Sequence, residues 1–347
     1  MTGGFRKSGA PMTREFRKSG APVTRAFCAK APRTARALVG SFLQALLLLV
    51  GITFVTFFLL HLSPKNPAEI WLAGTDGNVG QLSEATIRAQ EKLMGLDQPL
   101  LVQYKDWVIR LFHGDLGVSF TTGRPVAGEL LEALAITVPL AFGALAVTAA
   151  ISIPMGVYCA CYKDRFLDHV SRAMSFLGIS LPSFFISLLL LWLFCLKLKV
   201  FPVIAGSRGA GMVLPMAVLA VQCSARLTRQ IRGAVLSELK KDYVAGAYAR
   251  GASRKQVLFG HVLKNITVPL LAWLSMDLGV LLGGAAIVET VFSLDGLGKL
   301  AVEAVTRMDY YMIQGFVLVT ALIFLALNFI VDVLSRCVDP RIGREAL

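Results

Sequence analysis

The chain of 347 residues is 55% hydrophobic and 16% charged, with a formal net charge of +13. A mean hydropathy of +0.65 excludes an ordinary soluble domain, because several apolar runs reach the roughly 20 residues that cross a bilayer. Backbone groups in lipid must be hydrogen-bonded within their own segment, so the spans are predicted to be helices and the fold class all-α.

The N-terminal residues 1–36 are basic and contain a repeat, since FRKSGAP at residues 5–11 recurs at 16–22. Three prolines oppose a continuous helix, and the segment has little to bury. It is predicted to be a disordered tail that contacts anionic lipid or remains solvated.

Six membrane spans are predicted at residues 37–62, 133–158, 171–196, 212–225, 268–292 and 311–334. An even number places both termini on one side of the membrane. The segments on that side carry 24 Lys and Arg residues, and those on the other side carry 11. Because the cytoplasmic side is enriched in positive charge, a multi-pass protein of the cell (inner) membrane with cytoplasmic termini is expected. The positive net charge is then explained by the orientation of the chain in the membrane, and nucleic-acid binding is not needed to explain it.

The first long segment outside the membrane, residues 63–131, is therefore predicted to be external. Ser83 is expected to cap a helix that ends at Gly95, and a second helix is expected between Pro99 and Gly114.

The longest polar interruption of the second half covers residues 226–268, a predicted cytoplasmic loop with nine Lys or Arg and two acids. Asp242 is expected to cap a helix over residues 243–250, which Gly251 ends in the left-handed conformation. Ser253 and Gln256 form a capping box for the next helix. Small residues such as Ala245 and Ala247 give the first helix a thin face, which predicts a docking surface for another protein. The alternative is an amphipathic loop lying on anionic lipid.

Two acids in the second half are candidates for a translocation pathway. Asp277 is the central acid of the fifth span, and Glu289 follows near the end of that span. An ionisable residue inside a membrane indicates a functional site by default. For Asp277, lining the pathway and acting as a buried hydrogen-bonded partner remain open.

No catalytic, cofactor or metal site is legible in the sequence. The phosphate-binding pattern G-x-x-x-x-G-K-[ST] is absent. The four histidines are scattered, and Cys159 and Cys161 lack a second ligand pair. A membrane protease built on Ser180 is disfavoured, because the nearest histidine, His169, lies in a charged turn.

Several motifs in order resemble one family over residues 37–345. They are KLMGLDQPLLVQY (92–104), GDLGVSF (114–120), VETVFS (288–293), DPRI (339–342) and the loop described above. The chain resembles the permease subunits of binding-protein-dependent ABC importers, in the dipeptide, oligopeptide and nickel branch. It departs from the wider pattern at 245–247, which reads Ala-Gly-Ala where the superfamily has Glu-Ala-Ala, and at Leu294-Asp295, where Trp-Pro is usual.

The resemblance implies a type I ABC importer permease fold and a non-catalytic subunit. It also implies that the 226–268 loop couples to a separate ATPase that holds the ATP and Mg²⁺. The implied partners are a second permease in a heterodimer, two ATPase subunits or domains and an external solute-binding protein. The loop positions that match the family are Asp242, Tyr243, Ala245, Ala247, Gly251, Ser253, His261 and Asn265.

The implied cargo is nickel, another metal chelate or a short peptide, and the compact turn at residues 201–211 favours nickel slightly. An ion-coupled secondary transporter working alone is the alternative function, although such proteins usually contain internal repeats, and the sequence shows none across its spans.

Overall fold

A computed structural model of the protein describes residues 31–62, 66–73, 83–202 and 209–338, and these residues contain helices and no β-strand. The helices are α1 (Ala31–His61), α2 (Pro67–Ala73), α3 (Glu84–Met94), α4 (Leu100–Phe112), α5 (Val126–Cys161), α6 (Phe166–Ser180), α7 (Ser183–Leu190), α8 (Val213–Glu238), α9 (Asp242–Ala249), α10 (Arg254–Val257), α11 (Leu263–Gly284), α12 (Ala286–Val291), α13 (Leu297–Thr306) and α14 (Tyr310–Val338). The all-α prediction is confirmed.

Short non-α helices connect some of these elements. A π-helix over Leu191–Lys197 continues α7, a 3₁₀-helix over Gly209–Met212 precedes α8, and a π-helix over Leu258–Val262 joins α10 to α11. The chain divides into two compact units, residues 1–48 and 49–347. The described part of the first unit is the beginning of α1, and the second unit contains all the sites discussed below.

Five helical stretches of the described chain are long and apolar enough to cross a membrane. They are Leu43–His61, Val126–Cys161, Gly209–Glu238, Arg254–Gly283 and Tyr310–Ser335. A sixth span results if α6 and the helix over Ser183–Lys197 are counted as one bent pair. The prediction of six spans therefore corresponds to five spans plus one broken span.

The predicted third span, residues 171–196, is not a single continuous helix. It is two helices bent by 105° at a short break. Leu181 is extended in this break (φ −84°, ψ 129°) because the residue before a proline is forced out of the helical region. The Gln222 side chain of α8 donates a hydrogen bond to the Leu181 carbonyl (3.2 Å), which satisfies part of the broken backbone.

The fourth span is longer than its predicted end at Ala225, since α8 continues to Glu238. Leu227, Ile231 and Val235 lie one turn apart and are fully buried, so an apolar stripe continues beneath the basic residues. Residues 226–238 of the predicted cytoplasmic loop are therefore helical and continue α8, and the shorter helices of the connection follow Glu238.

The ends of two other predicted segments also move. Helix α1 begins at Ala31, inside the predicted tail, because Pro32 is tolerated in a first helical turn. Helix α5 begins at Val126 directly after Pro125, before the predicted start of the second span at residue 133. The N-terminal repeat, the DPRI motif and residues 203–208 of the compact turn lie outside the described residues.

Helix α8 is the element on which α5 and α6 pack closely. A Cβ added at Gly156 of α5 would lie 2.8 Å from the Ile231 side chain, and one added at Gly178 of α6 would lie 2.8 Å from Ala225. Small residues at these positions let the helices approach each other. Two neighbouring helices therefore constrain the position of α8 at Ala225 and Ile231.

The segment before α5 contains the two predicted helices. Ser83 accepts a hydrogen bond from the Ala85 N–H, and Gly95 ends α3 with φ +69°, so this predicted helix is confirmed. The turn between α4 and α5 is bonded to the residue before α14. Ser119 Oγ in this turn donates a hydrogen bond to the buried Asp309 carboxylate (Oδ2, 2.5 Å).

Candidate functional site

The connection between α8 and α11 contains most of the predicted site residues, and it begins with α9. Asp242 is the first residue of α9 and is exposed. The capping position is Lys241, whose side chain makes no cap hydrogen bond, so the prediction that Asp242 caps the helix is wrong by one residue. The carboxylate still lies in the first turn, where it interacts favourably with the helix dipole.

Helix α9 ends in a Schellman motif. Gly251 has φ +83°, its N–H donates to the Tyr248 carbonyl (2.9 Å), and the Ala252 N–H donates to the Ala247 carbonyl (3.1 Å). Glycine is favoured there because a Cβ opposes the left-handed conformation. The prediction that Gly251 ends the helix in the left-handed conformation is confirmed.

The predicted capping box of α10 is also confirmed. The Gln256 N–H donates to Ser253 Oγ (3.4 Å), and the Ser253 N–H donates to Gln256 Oε1 (2.8 Å). The chain between α8 and α11 is therefore a series of helices with defined ends.

Only one face of α9 is available to another protein. Val244 and Ala247 are buried among apolar side chains of α8 and α10, so the prediction that Ala247 belongs to the thin exposed face is wrong. The exposed residues Asp242, Ala245, Tyr248 and Ala249 form what we call the outer face of α9.

Glu238, the last residue of α8, connects the three helical elements of the site. Its Oε1 accepts hydrogen bonds from the Tyr243 hydroxyl (2.9 Å) and from Asn265 Nδ2 (2.8 Å), and its Oε2 pairs with Lys241 Nζ (2.6 Å). Tyr243 belongs to α9 and Asn265 to α11, so one carboxylate brings two predicted site residues together. Burial and the bond to Glu238 raise the pKa of Tyr243 to about 12.

Sequence reasoning missed Glu238 because it was counted only as one of two acids in a basic loop. The available signal was its spacing, since an acid three residues before Lys241 can pair with it across one helical turn. His261, a predicted site residue, is exposed, and its ring lies 6.3 Å from the Tyr243 ring in an edge-on arrangement. Across the described ranges, no group of three His, Cys, Asp or Glu side chains is arranged to hold a metal.

A second buried carboxylate, also missed, joins the turn between α5 and α6 to α8. Asp168 accepts a bidentate pair of bonds from Arg232, with Nε to Oδ1 at 2.6 Å and Nη2 to Oδ2 at 2.8 Å. The Asp164 N–H donates to the same carboxylate at 3.0 Å. The planar guanidinium suits this geometry.

Helix α10 also contacts the end of α5. The Arg254 guanidinium lies 5.0 Å from the centre of the Tyr162 ring and donates to the Cys161 carbonyl. Polar contacts therefore join α8 to α9, α11 and α6, and they join α10 to the end of α5.

The two candidate pathway acids are both buried. Asp277 is 4% exposed and pairs with Arg226 (Nη2 to Oδ1, 2.7 Å), which favours the buried-partner role over an open pathway position. Glu289 is 0% exposed and accepts bonds from Thr137 Oγ1 (2.8 Å) and the Lys299 N–H (2.9 Å). The prediction that Glu289 lines a pathway is contradicted, because its carboxylate instead connects α5 to α13.

Comparison with known families gives two matches. A model described as "Binding-protein-dependent transport system inner membrane component" matches residues 152–344. A model of the N-terminal part of such membrane components matches residues 34–141. Together they cover most of the described chain.

Similar proteins extend over nearly the same region. The probable D,D-dipeptide transport system permease protein DdpB of Escherichia coli is 36% identical and aligns with 86% of this chain and 94% of its own length. The dipeptide transport system permease protein DppB of Alkalihalophilus pseudofirmus is 32% identical over 85% of this chain and 95% of its own. The nickel import system permease protein NikB of Staphylococcus aureus is 32% identical over 88% of this chain and 91% of its own.

A solved structure shares the fold. A crystal structure of the MetNI methionine ABC transporter in an inward-facing conformation matches 60% of this chain and 96% of the other chain, with a TM-score of 0.50 and 18% identity. This agreement and the family match confirm the predicted type I importer permease fold. The chain therefore belongs to the family of binding-protein-dependent transport system inner membrane components, the permease subunits of ABC importers.

Proposed function

We propose that the outer face of α9 is the surface through which this permease receives mechanical force from a separate ATPase subunit. The observation that carries the proposal is the contrast between the two faces of α9. The outer face is exposed and combines two alanines with Asp242 and Tyr248, whereas Val244 and Ala247 attach the opposite face to the apolar core of the α8 region. A displacement of α9 is thus transmitted to the spans instead of being absorbed by a flexible loop.

In this mechanism, Glu238 transmits the movement of α9 to the neighbouring helices. Its bonds to Tyr243 and Asn265 connect α9 with the end of α8 and the start of α11. When ATP and Mg²⁺ bound by the ATPase drive its closure, α9 moves and both spans follow. Hydrolysis of ATP on that partner resets the arrangement, and this chain contributes no catalytic group.

The proposed assembly contains this chain, a second permease as its heterodimer partner, two ATPase subunits or domains and an external solute-binding protein. The proposed orientation places both termini and α9 in the cytoplasm, because the segments on that side carry 24 of the 35 Lys and Arg residues. The alternative of an ion-coupled transporter has no support, since Asp277 is paired with Arg226 and Glu289 is buried among hydrogen-bond donors.

The proposed cargo is a short peptide. The support is the 36% identity to a permease named for D,D-dipeptide transport, together with a second relative named for dipeptides. Nickel is the second candidate, supported by the 32% identity to a nickel import permease.

The docking surface is tested by Ala245→Trp, which adds a large side chain at an exposed position of α9 without a backbone change. The tagged chain is extracted gently from its native membrane, and the co-purifying proteins are identified and quantified by mass spectrometry. Recovery of the ATPase subunit should fall roughly tenfold or more, equivalent to ~1.4 kcal/mol of binding free energy.

The matched control is Ala89→Trp, since Ala89 is an exposed alanine of α3, a helix separate from the α8–α11 connection. It should leave ATPase recovery unchanged. Normal recovery with Ala245→Trp, or a chain that purifies without any ATPase in the wild-type form, would contradict the proposed role of α9.

The cargo is tested with the co-purified complex in liposomes loaded with ATP and Mg²⁺ on the ATPase side. Uptake of labelled dipeptides and of Ni²⁺ is measured with the cognate binding protein present. ATP-dependent uptake of dipeptide alone supports the peptide assignment, whereas uptake of Ni²⁺ alone replaces it with the nickel assignment.

A further inference from the structure

A cavity of about 80 Å³ lies between α4, the end of α1 and the start of α14, and the coupling function does not use it. Aromatic side chains form much of its wall, including Phe57, Trp107, Phe120 and Tyr311. A buried water occupies about 10–15 Å³ on this measure, so the cavity has room for roughly five to eight atoms of that size. This is the size of a very small organic molecule.

One polar group in the wall lacks a partner. Gln314 of α14 lines the cavity and is only 4% exposed, and its Oε1 accepts no hydrogen bond from the residues that the structure describes. A buried acceptor without a hydrogen bond loses its hydration and gains no bond in exchange, which is unfavourable. A ligand with an N–H donor would remove this cost.

Two other polar groups in the wall are already occupied. The His61 ring lies between the Phe57 carbonyl (Nδ1, 2.8 Å) and Gln103 Oε1 (Nε2, 3.1 Å). Gln103 Nε2 donates to the carbonyls of Leu96 and Gln98. These side chains form a preorganised wall and leave the Gln314 oxygen to a ligand.

Opposite charges lie at the mouth of the cavity. Asp106 and Arg110 are one turn apart on α4, are exposed and belong to the lining. The Arg110 guanidinium lies 5.5 Å from the centre of the Tyr311 ring. Within 31–62, 66–73, 83–202 and 209–338, neither residue forms an ion pair.

We propose that this cavity binds a small amino-acid zwitterion. The ammonium group enters among the aromatic faces, which attract cations, and donates to Gln314 Oε1. The carboxylate remains at the mouth and bonds to Arg110, whose forked donors match its two oxygens. A free amino acid with a small side chain fits the volume. This binding goes beyond the transport function and does not depend on which cargo the importer carries.

The test measures binding of radiolabelled L-alanine to the full permease complex in detergent. Wild type should bind alanine, and a large excess of unlabelled alanine should displace the label. Acetate and ethylamine, which each lack one of the two charges, should compete at least roughly tenfold less well, equivalent to ~1.4 kcal/mol.

Two variants each remove one of the two proposed polar contacts, and a third variant serves as the control. Gln314→Leu and Arg110→Gln should each weaken alanine binding at least roughly tenfold, equivalent to ~1.4 kcal/mol. Lys105→Gln removes a positive charge from an exposed position of the same helix, outside the lining, and should bind normally. Arg110 is exposed, so its variant is informative even if Gln314→Leu folds poorly.

Three results would overturn the proposal. The first is absence of alanine binding in the wild type, and the second is equal binding by the wild type and the Arg110→Gln variant. The third is a cavity that is filled only when the complex is in nanodiscs that contain phosphatidylethanolamine. The last result would assign the cavity to a lipid headgroup. ATPase recovery and cargo uptake are separate readouts, so failure of this proposal leaves the coupling proposal intact.

Discussion

Two carboxylates, Asp168 and Glu238, connect neighbouring elements in the region of α8 and α9. Each is almost fully buried, and each accepts hydrogen bonds from groups outside its own helix. Buried charge is costly unless it is paired and hydrogen-bonded. Because several partners share each carboxylate, loss of one acid should affect more than one element.

For Asp168, we expect Asp168→Asn to lower the free energy of unfolding by ~3–5 kcal/mol, because Arg232 would keep a charge in a largely buried site. Thermal unfolding of the purified protein in detergent would measure the loss. The matched control is Glu84→Gln, which breaks the exposed pair of Glu84 (87% exposed side chain) with Arg88 (75%). That change should stay within ~0.5 kcal/mol, and equal effects of the two variants would contradict the assigned role of Asp168.

For Tyr243, the pH dependence of stability has a definite sign. Its pKa is raised from 10.0 to about 12, by burial first and then by the bond to Glu238. The folded protein thus retains the phenol proton more strongly than the unfolded chain. The stabilising contribution is fully present below about pH 10 and is lost as the pH rises to about 12.

Tyr243→Phe should therefore flatten the decline of thermal stability across that pH window. Tyr248→Phe is the matched control, because Tyr248 is exposed on the same helix, and it should leave the decline unchanged. A wild-type curve and a Tyr243→Phe curve that fall in parallel would show that Glu238 does not hold the phenol in solution.

At the scale of the element, the ends of α9 matter more than its eight residues. A helix of this length is marginal on its own, and the Schellman motif, the following capping box and the contacts of Val244 and Ala247 stabilise it. The helix is thereby short, defined at both ends and attached along one face. These are the properties that a force-transmitting element requires.

Two glycine substitutions test this description. Gly251→Ala should destabilise the protein by roughly 1–2 kcal/mol, because φ is +83° and a Cβ opposes the left-handed conformation. Gly233→Ala, in the middle of α8 with open space around the added Cβ, should instead stabilise it by about 0.5–1 kcal/mol. Thermal unfolding of both variants gives the comparison, and the same sign for both would contradict the assignment of Gly251 as the helix stop.

At the scale of the whole molecule, the broken third span decides whether the chain crosses the membrane five or six times. Five continuous helices alone would place the termini on opposite sides, whereas the bent pair counted as a sixth crossing places them together. The distribution of Lys and Arg agrees with six crossings.

Cysteine labelling distinguishes these two arrangements. In a chain whose native cysteines are replaced, Ala249→Cys on α9 should react with a membrane-impermeant maleimide only in inside-out vesicles. Ala89→Cys on α3 should react only in intact cells. Labelling of both positions from one side would rule out the proposed orientation, and labelling of neither in lysed membranes would show that the positions are inaccessible.

The sequence by itself determined the class of the protein and where the short helices of its site begin and end. The length of the apolar runs predicted helical spans, because a helix satisfies its backbone hydrogen bonds within its own segment in lipid. Gly251 and the Ser253–Gln256 pair were predictable because left-handed glycine and capping boxes depend on residues within a few positions. Motif order predicted the family, which the comparisons then established.

Only the tertiary structure decided which site residues meet. Glu238 is unremarkable in sequence, and its partner Asn265 is 27 positions away. Ala245 and Ala247 are the same residue type, and the packing of one face of α9 into an apolar cluster exposes one and buries the other. The same holds for Glu289, which accepts a hydrogen bond from Thr137, 152 positions away in the chain. Composition and local pattern report what a segment can form, whereas burial and long-range pairing depend on which segments the fold brings into contact.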